Sequence, residues 1–266
     1  MYMLLLVLLG AIVLFTTFMV KPKRRIHHRL VSFGILLVVV GGSGIYQSYQ
    51  NNSGNPQQVE KSKTAADSNL ANLNYQGTQE IAVNNNTPTF TKSELNVSNG
   101  SWQEFADLDN LNRAIQADAL LSRSLMPTAK REPLYVNPTG WRNKKVNGGW
   151  LYNRSHLIGY QLTGQNNNPK NLMTGTRSLN SPEMLKHEND IAYYLKQNPN
   201  NYIRYRVKPI YRNDELVARG VQMMAESMTS NGQADNGVSF NVYIFNIEKG
   251  VKINYSDGTS VINNNY

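Results

Sequence analysis

The sequence predicts an α+β domain, a sheet with helices packed on it, placed behind two apolar segments and a polar linker. Three observations carry that expectation. Phe105, Leu108, Leu111, Ile115 and Ala119 recur at helical spacing and predict an amphipathic helix over 103–124, ended by Met126-Pro127. Ile203, Tyr205 and Val207 alternate with Arg204, Arg206 and Lys208, which is strand periodicity over 202–212. Before residue 101 neither pattern appears.

The chain begins with an uncharged apolar run from Met1 to Val20, long enough to cross a bilayer core that needs about 20 helical residues. The basic stretch 21–29 follows, and then a second apolar run from Leu30 to about Tyr46. Two apolar runs around a basic loop predict a transmembrane hairpin over 1–46 with its loop in the cytoplasm, which puts everything after Tyr46 outside the cell. The alternative is a signal peptide in the second run, with release by cleavage near 43–47; both versions export the rest. Residues 47–100 are rich in Asn, Gln, Ser and Thr and predict a flexible tether, with the folded domain over 101–266.

Within that domain, Asn147-Gly148-Gly149 signals a turn into a short strand, Trp150 to Tyr152. Ser181-Pro182 opens a helix over 182–197, with Ser181 as N-cap and Pro182 in the first turn, stopped at Asn198-Pro199-Asn200. Residues 217–224, 239–247 and 251–254 predict further strands, and Ser256-Asp257-Gly258-Thr259 turns into a last one.

Cysteine is absent, which excludes disulfides, thiolate metal sites and cysteine nucleophiles. The net charge of +9 favours an anionic partner. About half of it belongs to residues 1–46, which hold Lys21, Lys23, Arg24, Arg25 and Arg29 and no acid, so the domain itself is only moderately basic.

Two histidines fall in the domain. His156 follows the strand at 150–152 beside Arg154 and suits a general base in an anion-binding site, or equally a structural turn histidine. His187 sits mid-helix among Lys186, Glu188 and Asn189 and reads as a half-exposed surface residue. Glu188 shares a helix face with Met184, Ile191 and Leu195, where an unpaired carboxylate is costly; it calls for a cation, a hydrogen-bond network or a metal-bound water. Asn180, just ahead of the helix, offers an amide oxygen, a legitimate hard ligand for Mg2+.

Asn153-Arg154-Ser155-His156, then Asn168-Pro169-Lys170-Asn171, then Asn180 and Glu188, together resemble the ββα-metal (His-Me finger) non-specific DNA/RNA endonuclease family. Within it the similarity is to the branch that serves DNA uptake in Gram-positive bacteria. The resemblance covers about residues 105–255 and includes Leu125-Met126-Pro127 and the stretch 138–141. It implies an antiparallel sheet with packed helices and a Mg2+ cofactor, with Mn2+ as a substitute. It also implies His156 as general base, Asn180 as direct metal ligand and Glu188 holding a metal-bound water. Arg154 joins that catalytic set as a phosphate contact; Arg177 and Asn171 become substrate-binding candidates. The pattern departs from the family's Asp-Arg-Gly-His: Asn153 stands for the aspartate and Ser155 for the glycine, so position 153 lacks the carboxylate.

Arg204, Arg206 and Lys208 share a strand face and are spaced to track a phosphate backbone, or form an ordinary solvated face. Tyr202 and Tyr211 could stack on bases. No base-reading module is evident, so cleavage without sequence preference is expected, on DNA with RNA as a second candidate. The expected partners are nucleic acid, the membrane through residues 1–46, and a DNA-uptake machinery. Two competing classes are a catalytically inactive surface DNA receptor on the same fold, and a structural envelope protein.

Overall fold

A computed structural model describes residues 69–146 and 148–263. The two apolar runs and the expected hairpin lie outside them. Among the described residues no helix is long and apolar enough to cross a membrane.

The centre of the domain is a six-stranded, wholly antiparallel sheet in the order β1-β10-β9-β8-β3-β2. Its strands are β1 (Glu80–Ala82), β2 (Trp102–Phe105), β3 (Ala117–Leu121), β8 (Tyr202–Ile210), β9 (Gly220–Met228) and β10 (Ala234–Phe245). Three two-stranded ribbons surround it. These are β4 (Lys145–Val146) with β5 (Gly149–Trp150), β6 (Tyr152–His156) with β7 (Leu172–Thr176), and β11 (Val251–Ile253) with β12 (Ser260–Ile262).

Two helices matter for the site, α1 (Tyr160–Thr163) and α2 (Leu185–Gln197). The apolar stripe of α2, Ile191, Ala192 and Leu195, joins Ile203, Tyr205 and Val207 of β8 and Val221, Met223 and Ala225 of β9 in one buried core. Burial of this kind stabilises by roughly 25 cal/mol per Å2 of apolar surface, so the core fixes α2 on that face of the sheet. The expected strand at 202–212 and the strands of the last third are present within a few residues.

The helix expected over 103–124 is instead the β2–β3 hairpin. Asp109 breaks the helical option: its Oδ1 accepts from the backbone N–H of Leu111 and of Arg113, and Asn112 takes a positive φ of 58°. The start of the second helix also moves. Ser181 is extended (φ −153°, ψ 121°) and caps nothing; residues 179–184 form a wide π-type turn, and the α-helix proper starts at Leu185.

The domain does not begin at 101. β1 pairs with β10 in the register Glu80↔Ile244, Leu70 is buried, and Ile81 packs beside Tyr243 and Phe245. Residues 84–97 then cross the sheet face opposite α2. Asn86 Oδ1 accepts from Asn241 N (3.0 Å), the Thr89 N–H meets Met224 Sδ (3.1 Å), and Phe90 lies under Arg204. The tether expected through residue 100 thus gives way to a packed strap from about residue 69. Its few apolar side chains suffice because the rest of the strap is held by hydrogen bonds.

Candidate active site

The site is built on a ββα unit: β6, β7 and, after the turn at 179–184, α2. His156 is the last residue of β6, paired opposite Leu172 of β7, and is buried. The chain leaves β6 along a fixed path because Asn171, itself fully buried, accepts at Oδ1 from Ile158 N (2.9 Å) and donates to Ile158 O (3.0 Å). Asn171 is therefore a clamp on the strand exit, and the expected substrate contact there is corrected. The Asn-rich loop after α1 is equally structural: Asn166 and Asn167 donate to the carbonyls of Glu132 and Pro133.

That loop sets the histidine tautomer. His156 Nε2 lies 2.8 Å from the Asn166 carbonyl oxygen, which can only accept, so Nε2 carries the proton. Nδ1 keeps its lone pair, with Arg131 Nη2 at 3.5 Å. Burial, assisted by the Arg131 charge, pushes the imidazole pKa down to about 4, against the opposing bond to Asn166. The ring is thus neutral across the physiological range, as a base must be.

Glu188 lies on the inward face of α2 and is buried. Burial raises its pKa to about 7, although the Gly159 N–H and the Gln161 side chain donate to it and Arg131 exerts a weaker pull. Its carboxylate fills the space beside Gly159, where any Cβ would collide with both oxygens. Of the partners the sequence left open, a side-chain cation in direct contact is not found: no Lys, Arg or His nitrogen of the described residues lies in salt-bridge contact with Glu188, and Arg131 acts only at longer range.

His156, Glu188, Asn180, Arg154 and Arg131 line one cavity of about 840 Å3, with Asn153 and Gln161 also on its wall. Arg154 is steered by Asn137 Oδ1 (Nη2 2.7 Å) and stacks on Trp141 (4.7 Å to the ring centroid). Ser155, in place of the glycine of the motif, is accommodated because Gly175 on β7 leaves room for its hydroxyl. Asn180 reaches the cavity because the wide turn presents it there, between Ser178 and α2.

Among the described residues no three His, Asp or Glu side chains gather to bind a metal ion. The oxygens present, an amide oxygen at Asn180 and a buried carboxylate without an ion-pair contact at Glu188, are hard ligands that suit a largely hydrated Mg2+. A divalent cation would also relieve the cost that Glu188 carries alone.

The remaining expected contacts fall elsewhere. Arg204 is 2 % exposed and is ion-paired with Asp118. Arg206 pairs with Asp118 (2.8 Å) and Glu94 (2.7 Å). These side chains alternate with the core residues of β8, on the face the strap covers, so the stripe of Arg204, Arg206 and Lys208 is not a backbone track at this site. Arg177 pairs with Glu248 at 3.2 Å and is absent from the cavity wall. Tyr211 carries the Arg113 guanidinium at 4.4 Å and packs on the core. His187 is less exposed than expected, bonded to Glu80 (2.7 Å) and stacked on Phe240.

Sequence reasoning missed Arg131, Trp141 and Trp150, all on the cavity wall, with Trp150 about half exposed at 53 %. Only Arg131, in a run of Lys130-Arg131, carried a faint signal of charge.

A ββα unit with a neutral buried histidine on its strand, and an asparagine and glutamate on the turn and helix that follow, defines the ββα-metal class of nuclease fold. The chain belongs to the DNA/RNA non-specific endonuclease family, whose model matches residues 95–229. A deoxyribonuclease from Streptococcus dysgalactiae subsp. equisimilis is 32% identical over 171 residues, covering 63% of this chain and 50% of that protein. The chain thus spans about half the length of that relative. NucA from Streptococcus agalactiae with no metal bound is 26% identical, with a TM-score of 0.60 over 72% of this chain and 91% of the other. Its magnesium-bound form matches at 24% identity and TM-score 0.62, over 78% of this chain and 98% of the other. The Sda1 nuclease with bound zinc matches at 24% and 0.53, over 60% and 80%. At these last two identities the likeness is one of fold.

Proposed function

We propose that this chain is a membrane-anchored, outward-facing, Mg2+-dependent endonuclease that hydrolyses phosphodiester bonds without sequence preference. DNA is the first substrate, as the deoxyribonuclease relative suggests, and RNA the second candidate. The observation that carries the reading is the convergence of His156, Asn180 and Glu188 on one cavity whose wall also bears two arginines.

The chemistry follows from the side chains. His156 Nδ1 accepts a proton from a water as that water's oxygen bonds to phosphorus. The bond from phosphorus to the leaving oxygen then breaks. The Asn166 carbonyl keeps the ring oriented and stabilises the imidazolium by accepting from Nε2. Arg154 and Arg131 are suited to charge-assisted hydrogen bonds with the phosphate. Asn180 would hold the metal directly and Glu188 would hold one of its waters. When bound, that ion supplies charge stabilisation at the phosphorane and the leaving oxygen. Trp150, exposed at the rim beneath Lys145, offers a base-stacking surface that reads no sequence.

Export and anchoring are supported by the apolar runs and the basic loop at 21–29. Neighbouring folds include an extracellular endonuclease, at 24% identity. A role beside a DNA-uptake machinery would follow from that placement.

The test is incubation of the purified chain with plasmid, with Mg2+ or with Mg2+ and chelator. Nicking and linearisation that stop on chelation are expected. Retention of plasmid without cutting would instead make the chain a DNA receptor, and neither outcome would remove nucleic acid from the account.

A further inference from the structure

We infer that Gln79 and Glu80, in the strap ahead of the family-matched region, are positioning residues for the metal site, clamping both ends of the turn that carries Asn180. The inference rests on the metal reading above.

The turn is irregular. Ser181 is extended and Pro182 has no N–H, so the regular α-helical ladder gives way to a wide π-type turn over residues 179–184. What grips its flanks adds to its definition. At the entry, Gln79 Nε2 donates to Ser178 Oγ (3.0 Å) and to Phe245 O (3.0 Å). Glu248 and the Ile247 carbonyl also grip Ser178, at 3.0 and 2.6 Å. At the exit, Glu80 Oε2 takes both His187 Nε2 (2.7 Å) and Lys186 Nζ (3.0 Å). His187 is further seated on the Phe240 ring, at 4.4 Å between centroids.

Asn180 stands two residues past the first grip and Glu188 one residue past the second. Two adjacent strap residues therefore bracket Asn180 and grip the first turn of α2 just ahead of Glu188. The grip is stiff because its own backbone is paired: Phe245 N bonds Gln79 O at 2.8 Å, and Glu80 sits opposite Ile244 in the sheet. Ser178 is held by Gln79, Glu248 and the Ile247 carbonyl together, whereas Glu80 is the carboxylate that joins Lys186 and His187 to the sheet, so Glu80 is the sharper probe. The family model begins at residue 95, so the clamp lies outside the matched segment.

The experiment titrates Mg2+ alone, by calorimetry, into the metal-stripped full-length chain, and in parallel measures plasmid cutting against Mg2+ concentration. Glu80→Ala should raise the Mg2+ dissociation constant about threefold, below the roughly tenfold that loss of a direct outer partner of a metal ligand costs, because Glu80 acts one residue removed, through Lys186 and His187. Cutting by Glu80→Ala should return to the wild-type rate at saturating Mg2+. A merely structural loss would lower cutting at every concentration without moving the midpoint. Glu80→Gln, which keeps an acceptor for His187 but not the charge facing Lys186, should fall between. Glu94→Ala, in the same strap but facing Arg206, should leave the midpoint in place.

If Glu80→Ala does not fold, Glu80→Gln and Gln79→Ala carry the test, with a midpoint shift of the same sign expected. Unchanged Mg2+ binding in these variants, while Asn180→Ala loses it, would overturn the clamp alone. Unchanged binding in Asn180→Ala would overturn the metal reading beneath it.

Discussion

Replacing Glu188 by glutamine should stabilise the metal-free protein at alkaline pH. The carboxyl is buried, and its pKa is raised from 4.5 to about 7 because the anion has lost its water. Between those two values the folded state binds more protons than the unfolded chain. Stability therefore falls as pH rises through that window, and the full penalty is present above it. The separation corresponds to about 3 kcal/mol. Glutamine escapes that penalty, but its NH2 replaces one carboxylate oxygen and so weakens acceptance from the Gly159 N–H and the Gln161 amide, which costs about 1 kcal/mol. A net gain of about 2 kcal/mol remains, which for a unit of this size is roughly 4–8 °C in Tm. Scanning calorimetry of residues 66–266 in chelator, at pH 8.5 and pH 5, should show this gain at the higher pH and almost none at the lower. In Mg2+ the order should narrow or reverse, since only the carboxylate profits from the cation. A variant that melts lower than wild type at pH 8.5 in chelator, or a difference independent of pH, would refute the reasoning.

His156→Ala should reduce cutting by about 10²- to 10⁴-fold while leaving the fold intact, and imidazole should rescue part of the loss in His156→Gly. Because burial holds the ring at about 4, the acidic limb of kcat/KM at saturating metal should fall near that value; a limb at the ordinary 6.5 would contradict the buried, neutral base. Arg204→Met should destabilise in urea melts by about 1–2 kcal/mol, less than the cost of orphaning a buried charge because Arg206 still pairs with Asp118. It should leave the salt dependence of DNA binding unchanged, whereas a fall of about one unit in that slope would return Arg204 to the phosphate contacts.

The heart of the site was legible because its residues lie in ordered, closely spaced motifs. His156, Asn180 and Glu188 line one cavity, and Glu188 is buried as its helical position implied. What was not legible depends on partners far away in the chain. The basic alternation of β8 looked like a surface because Asp118 and Glu94, which neutralise it, come from other segments. Residues 103–124 had helical spacing, but β3 is a short run, Ala117 to Leu121, buried on every residue, and such a run carries no period of its own. The strap was discounted for its polar composition, which measures apolar burial and is blind to Gln79, Glu80 and Asn86 acting as hydrogen-bonding groups. The protonated nitrogen of His156 depends on one carbonyl, at Asn166, and no side-chain pattern announces a carbonyl.

Both outer strands of the large sheet, β1 and β2, come from the first part of the described chain, while β10, the partner of β1, comes near its end. Synthesis from the N-terminus delivers β1 first and obliges it to wait, unpaired, until nearly the whole domain has followed. Closing so long a loop is slow, and an unpaired strand invites pairing with other chains in the meantime. The order of strands thus makes completion of the sheet a late event in biogenesis. Since the Glu80 grip on α2 forms only with that final pairing, a chain folded up to β9 would hold His156 in place and still lack the clamp on the turn that carries Asn180.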